Sequence, residues 1–439
     1  MGVDVSTRFS LLALLTLSIL GFGVAAASSA DDLAAGDDVD ARPRHLESEI
    51  DALKQGRSEP AAGAAATGEA PAQPDAPAPP AEKKEALVFY VTPDITFKPG
   101  LRVQTRFTYD TKSNNKEIAL QRFRLKAGGE VYEIVKYYVE MKIDNTGTAG
   151  KNPNAAVENA WLDYSVVPDL IGRAGLYDVP FSRDALTSDS KLLFMDRSLI
   201  KDALTSFGFA DNGIGVMARG RPFGGRLEYA VGGFNNDKFD GLRTSSSKKT
   251  GSLMPIARVA VDLLDPAPQG GYADYRGSYI GKGKRLTFGA NGGWLGDARQ
   301  NIPASNGSPQ QKFDIWAWGV DAFFNTGPYT LQAEYDWFRL TGNVNRSNYG
   351  WFVQGGYLLE CLNQRLDQVA PWFPDVELAA RYQDLDAKSY STKRERQTSI
   401  GTNFYIRDHN LKIQTNYSFR NIEDTEDRGL YQLQLQLDF

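Results

Sequence analysis

The chain has 439 residues, with 49 Lys and Arg against 54 Asp and Glu, a formal net charge of −5 and a mean hydropathy of −0.39. So mild an acidity gives no electrostatic footing for nucleic acid, and one cysteine with two histidines excludes an internal disulfide and any zinc-type ligand spacing. Its 20 Tyr, 23 Phe and 42 Gly favour strands and turns over helices.

Residues 1–30 read as a secretory signal peptide. Arg8 precedes the apolar run FSLLALLTLSILGFGV, and the small residues Ala25 to Ala30 supply an Ala-x-Ala-like zone, with cleavage expected after Ala27 or Ala30. The run falls short of the ~20 residues a spanning helix needs. Residues 31–55 hold an acidic stretch and a short helical pattern, Pro43 to Gln55, with Leu46, Ile50 and Leu53 at four-three spacing. A small coiled coil joining subunits and a transient helix both remain open for it. Residues 56–93 form an Ala/Pro-rich linker that cannot build a core.

From residue 94 to 439, apolar and polar residues alternate with the period of a strand. Val103, Thr105, Phe107 and Tyr109 oppose Arg102, Gln104 and Arg106. Phe123, Leu125 and Ala127 oppose Arg122, Arg124 and Lys126. Tyr137, Val139, Met141 and Ile143 oppose Lys136, Tyr138, Glu140, Lys142 and Asp144. The pattern is weaker near 170–178, 213–220, 226–234, 255–262, 285–294, 313–324, 329–340, 347–357, 376–385 and 396–406. It sharpens again from Leu411 to Arg420. The last segment, YQLQLQLDF, sets Tyr431, Leu433, Leu435, Leu437 and Phe439 against Gln432, Gln434, Gln436 and Asp438. One face for lipid and one for a wet lumen is what a transmembrane barrel requires. The prediction is an all-β, antiparallel up-and-down barrel of about sixteen strands, an even count. The terminal Phe439 resembles the signal by which the barrel-assembly machinery recognises its clients.

Alternate connections are short: Val167–Leu170, Gly220–Gly225, Asn325–Pro328 and Arg407–Asn410. Long polar loops at 145–155, 180–212, 235–253 and 295–312 fall at the opposite end. Two connections on the short side, 264–284 and 358–375, are too long. Either the strand count slips there or those turns fold into the pore. Cys361, in the second, reads as a buried or lipid-facing thiol.

On this parity Arg102, Arg106, Arg122, Arg124, Lys126, Lys136 and Lys142 share one wall, with Glu140 and Asp144 as its clearest acids. A few fixed charges at a narrow point bias which ions pass, provided that none is held tightly. The alternative is that each charge only crosslinks or hydrates the wall. Acids on other lumen faces include Asp163, Glu228, Glu334, Asp336 and Glu377.

Residues 158–236 carry a resemblance. The stretch has an aromatic-Leu-Asp-Tyr strand (Trp161–Tyr164), a Gly-x-Tyr-x-x-Pro-Phe-Ser turn (Gly175–Ser182), the block Phe194–Ser198, a Gly-x-Gly-Val-Met strand (Gly213–Met217) and Tyr229 to Asn235. GWFVQGGYLL (350–359), ELAARYQDLD (377–386) and QRFRLKAGGEVY (121–132) add to it. Together these resemble the phosphate-selective porin O and P family. The resemblance implies a sixteen-stranded, commonly trimeric porin in outer-membrane lipid, with a third loop folded inward, here Pro180 to Asp211. Its Arg183, Lys191, Arg197 and Lys201 would face the constriction beside Asp184, Asp189, Asp196 and Asp202. Asp144 matches the family's acidic position after the third strand. Family members that bind phosphate often carry lysine before the Pro-Phe-Ser turn, where this chain has Asp178; that acid weakens phosphate capture.

The function expected is passive diffusion of small anions, phosphate or polyphosphate among them, and of small hydrophilic solutes. A non-selective general porin and a non-conducting adhesin or anchor are the alternatives. An enzyme is not expected, since His45 and His409 stand apart from any Gly-x-Ser-x-Gly or His-Glu-x-x-His motif, and neither a cofactor nor a metal is expected.

Overall fold

The computed structural model describes residues 88–146, 154–235, 253–266, 275–300, 311–342, 345–360, 363, 374–389 and 393–439. The expected leader, short helix and most of the linker, with Cys361, lie outside them. Among the described residues the first strands are β1 (Phe89–Thr92) and β2 (Ile95–Asp110), followed by β3 (Asn115–Val131), β4 (Val135–Thr146), β5 (Asn154–Val167) and β6 (Leu170–Asp178). Next come β7 (Asn212–Gly220), β8 (Leu227–Asn235), β9 (Leu253–Asp262), β10 (Lys284–Gln300), β11 (Gln311–Thr326) and β12 (Tyr329–Gly342). The last are β13 (Arg346–Leu358), β14 (Asp375–Asp386), β15 (Glu395–Arg407), β16 (Leu411–Ile422) and β17 (Arg428–Asp438).

Each strand from β2 onward pairs antiparallel with the next, and β17 pairs with β2 from Arg102↔Asp438 to Asp110↔Leu430. The result is a closed sixteen-stranded barrel, β2 to β17. β1 lies within what reads in sequence as the end of the linker. It pairs Phe89 with Phe97 where β17 has run out, extending the wall at the short-turn end.

Alternation assigns the two surfaces. On β17 Leu433 is 41 % exposed, while Gln432, Gln434 and Gln436 point inward and are buried. Outer positions elsewhere are apolar as well, including Leu125, Val139, Val216, Leu331 and Ile400. Near the long-loop ends of β10 to β14, Trp294, Trp316, Trp318, Tyr335, Trp337, Tyr349, Trp351 and Tyr382 make successive ring contacts of 5.5–6.4 Å. Tyr329 and Tyr357 pair at the opposite end. Aromatic belts of this kind sit at membrane interfaces. A charge placed between the belts should be costly. Leu433→Arg is expected to lower folding stability in lipid vesicles by about 2–4 kcal/mol, read as an earlier urea midpoint, with no comparable loss for Gln434→Glu on the lumen side.

The strand count holds across both long short-side connections. In the first, Tyr275 to Ile280 folds into the bore: Gly277 N–H donates to Lys191 O at 2.8 Å, and the Ser278 hydroxyl donates to Glu377 at 2.6 Å. His409, in the turn between β15 and β16, closes on Ser278 O at 2.8 Å. Of the second connection, only Leu359, Glu360, Asn363 and Pro374 are described.

Candidate functional site

Loop L3, residues 179–211, leaves β6 and returns through β7 entirely inside the barrel. It carries two short helices, α1 (Arg183–Leu186) and α2 (Leu199–Ser206). Ser182 caps the first by accepting from Ala185 N–H at 3.2 Å, and Ser198 caps the second. Asp184 ties the two starts together, accepting from both the backbone N–H and the hydroxyl of Ser198 at 2.8 Å. The apolar face of α2, Leu199, Ile200, Ala203 and Leu204, then has to be covered. It packs with Phe207 and Phe209 onto Phe338, Leu340, Phe352 and Leu385 of β12 to β14. Phe207 and Phe338 lie 5.0 Å apart, and Phe181 and Phe209 lie 5.4 Å apart.

The other arm of L3 is held by polar groups from the seam of the barrel. Arg102 donates to Ser188 at 2.8 Å, Gln436 to Ser190 O at 3.0 Å and Lys412 to Leu192 O at 3.1 Å. Asn403 donates to Leu193 O at 3.1 Å, and Arg106 to Met195 O at 3.1 Å. Apart from the Ser188 hydroxyl, these acceptors are buried backbone carbonyls, which need such partners. L3 thereby fills the bore beside β10 to β15 and leaves a passage against β2 to β6.

Two cavities lie along that passage, of about 360 and 290 Å³. The one toward the short turns is lined by Arg102, Lys136, Tyr138, Glu140, Trp161, Asp163 and Arg173 among others. The one toward the long loops is lined by Arg122, Arg124, Lys142, Asp144, Lys201 and Asp202 among others. Glu158, Asp178, Asp189 and Arg197 border both, which places the eyelet between them.

Across the eyelet the basic wall faces carboxylates. Arg122 pairs with Asp189 at 3.1 Å, Arg197 with Asp189 at 2.8 Å and Arg106 with Asp196 at 2.7 Å. Arg124 is shared among Asp144, Glu140 at 3.2 Å and Glu158 at 3.9 Å. Lys142 meets Glu158, and Lys126 and Arg102 both meet Asp438. Lys136 stands at the short-turn mouth, 3.5 Å from Glu130. Burial alone would raise the Asp189 and Asp196 carboxyls, but the guanidiniums of Arg122 and Arg197 around the first, and of Arg106 beside the second, hold both well below the usual carboxylate range. Both therefore stay ionised, and each remains paired with arginine.

Most residues read from the sequence as lumen groups are thus gathered on one passage. Arg183 is not. It follows Ser182, whose φ of 63° bends the entry to L3, and its guanidinium carbon lies 4.2 Å from the Phe323 ring and 4.6 Å from that of Tyr275. It is 1 % exposed, a packing group against the far wall rather than an eyelet charge. One eyelet participant, Glu158, is absent from the sequence reading. Glu158 turns inward because a β-bulge sets Glu140↔Asn159 next to Met141↔Val157, and the adjacent polar pair Glu158-Asn159 is the trace it leaves in the sequence. Asp438 reaches Arg102 and Lys126 only because the barrel closes.

The family model for phosphate-selective porin O and P matches residues 97–439. An uncharacterised protein of Aquifex aeolicus is 26 % identical over 300 residues, covering 64 % of this chain and 68 % of its own length. Among solved structures, the anion-selective porin from Comamonas acidovorans is similar with a TM-score of 0.55 and 12 % identity, over 79 % of this chain and 100 % of that one. OprB of Pseudomonas putida gives 0.53 at 8 % identity, over 79 % and 94 % of the two chains. The trimer form of OmpT from Vibrio cholerae gives 0.50 at 9 % identity, over 79 % and 100 %. At such identities the solved structures speak to the barrel, and the family match speaks to descent: this chain belongs to the phosphate-selective porin O and P family.

Proposed function

We propose that this outer-membrane porin passes small anions preferentially, by diffusion through a water-filled eyelet, rather than capturing phosphate. The observation that carries the reading is the stripe of Arg102, Arg106, Arg122, Arg124, Lys126 and Lys142 on three adjacent strands, β2 to β4, all facing the bore. A membrane is a low-dielectric slab, so fixed charge at its narrowest opening is felt strongly by an entering ion. Because each of these cations already meets a carboxylate, an anion sliding along the wall exchanges partners instead of filling an empty cage. Weak, repeated contact of this kind suits flux. Asp178 at the eyelet argues further against tight phosphate binding.

One observation favours a non-selective general porin instead: the lining of the two cavities carries as many carboxylates as cations. The reversal potential across a planar bilayer in a KCl gradient separates the readings. A potential of the sign set by chloride supports the anion channel, a value near zero supports the general porin, and a potassium-set value removes the basic-wall argument. Current block by phosphate should be no stronger than by sulfate. The same reading includes export through a cleaved leader over residues 1–30, assembly through the terminal strand, and a homotrimer in outer-membrane lipid, the last supported by the trimer form of OmpT. The family and the barrel point to a channel rather than an enzyme.

A further inference from the structure

On the short-turn side of the eyelet the wall carries an aromatic surface beside the ladder of ion pairs. Tyr138 of β4 and Trp161 of β5 are register partners, with ring centroids 5.5 Å apart and planes inclined by 30°. Next in the same row is Gly128 of β3, where a Cβ would stand 3.2 Å from Tyr138 Cδ2. Glycine there lets the tyrosine ring lie down against the wall instead of projecting across the bore. The Arg173 guanidinium carbon sits 3.5 Å from the Trp161 centroid and is fixed by two bonds to Asp163, at 2.6 and 2.8 Å. The Tyr138 hydroxyl is fixed in turn, donating to Glu140 at 2.6 Å. Both rings border the larger cavity, so this is a rigid shelf in contact with the solute path.

Around the shelf the same cavity offers acceptors, Glu140 and Asp189, and donors, Arg102 and Arg197, with Asn159 serving as either. For an ion these opposite charges largely cancel. For a neutral solute rich in hydroxyls they do not, because each hydroxyl donates to a carboxylate and accepts from a guanidinium. A sugar ring adds an apolar C–H face that packs on an aromatic surface. A cavity of 360 Å³ lies at the small end of the range for small-molecule sites, about 300–1,000 Å³. We propose that the Tyr138–Trp161 shelf is a subsite for a neutral polyhydroxylated ring of monosaccharide size, occupied transiently on the way to the eyelet. The inference rests on the channel reading above, but not on anion preference.

The test uses the full chain in planar bilayers, with glucose added to one side and sorbitol, which has similar size and hydroxyls but no ring face, as the comparison. Glucose is expected to interrupt KCl current more strongly than sorbitol at equal concentration. Tyr138→Leu is expected to weaken the glucose effect roughly 3- to 10-fold, the span of an aromatic contact, while KCl steps show that its pore is intact. KCl steps with identical glucose and sorbitol effects would overturn the subsite and leave the porin standing; a glucose effect unchanged in Tyr138→Leu would do the same. A bilayer silent in KCl alone would remove both. The contrast between the two solutes in the unaltered protein needs no variant to fold.

Discussion

Arg124→Ala is expected to turn the channel from anion-preferring to cation-preferring. Arg124 is 2 % exposed and holds three carboxylates together, Glu140, Asp144 and Glu158. Without it, Lys142 still meets Glu158, but Glu140 and Asp144 lose the cation they share. The wall of β3 to β5 beside the eyelet then changes sign. Two unit charges 4 Å apart interact by about 4 kcal/mol at an effective dielectric near 20, and lumen water and salt reduce what a passing ion feels to roughly 1 kcal/mol. That corresponds to a permeability ratio shifted about fivefold, which a reversal potential resolves easily. Arg124→Lys keeps the charge and loses only the fork that grips Asp144 with two nitrogens. It should therefore keep the anion preference. If Arg124→Ala left the reversal potential where it was, the ladder would be wall crosslinking, with no say in which ions pass.

The same variant tests stability in the opposite sense. Breaking a buried ion pair from one side costs about 3–5 kcal/mol, because the abandoned charge stays behind. Here the abandoned carboxylates border a water-filled passage, so they can rehydrate and the loss should fall below that range. A barrel that folds normally and conducts with altered sign is the outcome that separates a selectivity role from a scaffolding one.

How far the sequence shows all this depends on what each wall faces. On β2 to β4 and on β16 to β17, lipid lies outside and water or polar L3 backbone lies inside, so alternation is clean and the inward Arg and Gln can be read directly. On β9 to β14 the pattern is weak for a physical reason. Met254, Ile256, Ile315, Ala317, Phe338, Leu340 and Phe352 point inward to receive the apolar side of L3, so both faces of those strands are greasy in places. Period-two reading depends on a contrast that this packing removes. The long short-side connection before β10 is legible as an anomaly, but its fold into the bore depends on Ser278 meeting Glu377 and on His409 beneath it, partners 99 and 131 residues away. Arg183 fails for the same reason: its type and place in L3 suggest the eyelet, and only the packing with Tyr275 and Phe323 sends it elsewhere. Charges set by local alternation, Asp438 among them, can be read directly; the inward turn of Glu158 at a bulge and the meeting of Asp438 with Arg102 and Lys126 through barrel closure cannot.

Phe338→Ala is expected to widen the eyelet without opening the barrel. Phe338 is fully buried on the lumen side of β12, and its ring is the one that Phe207 rests on at the end of α2. Truncating a buried phenylalanine costs about 3–5 kcal/mol, and here that loss falls on the contact between L3 and the wall. The strands on either side keep their full registers, since the β11–β12 and β12–β13 ladders are made by backbone. L3 would then be held chiefly by its polar arm, through Lys412, Asn403 and Arg106 to the carbonyls of Leu192, Leu193 and Met195. An arm pinned at one end swings. Single-channel conductance should rise, with frequent transitions between levels where the unaltered pore gives steady ones. Ile400→Ala, which trims an equally apolar but lipid-facing side chain, should leave conductance unchanged. Should Phe338→Ala conduct as the unaltered channel does, the carbonyl latches alone would fix the eyelet, and the aromatic packing of L3 would matter for folding but not for the size of the hole.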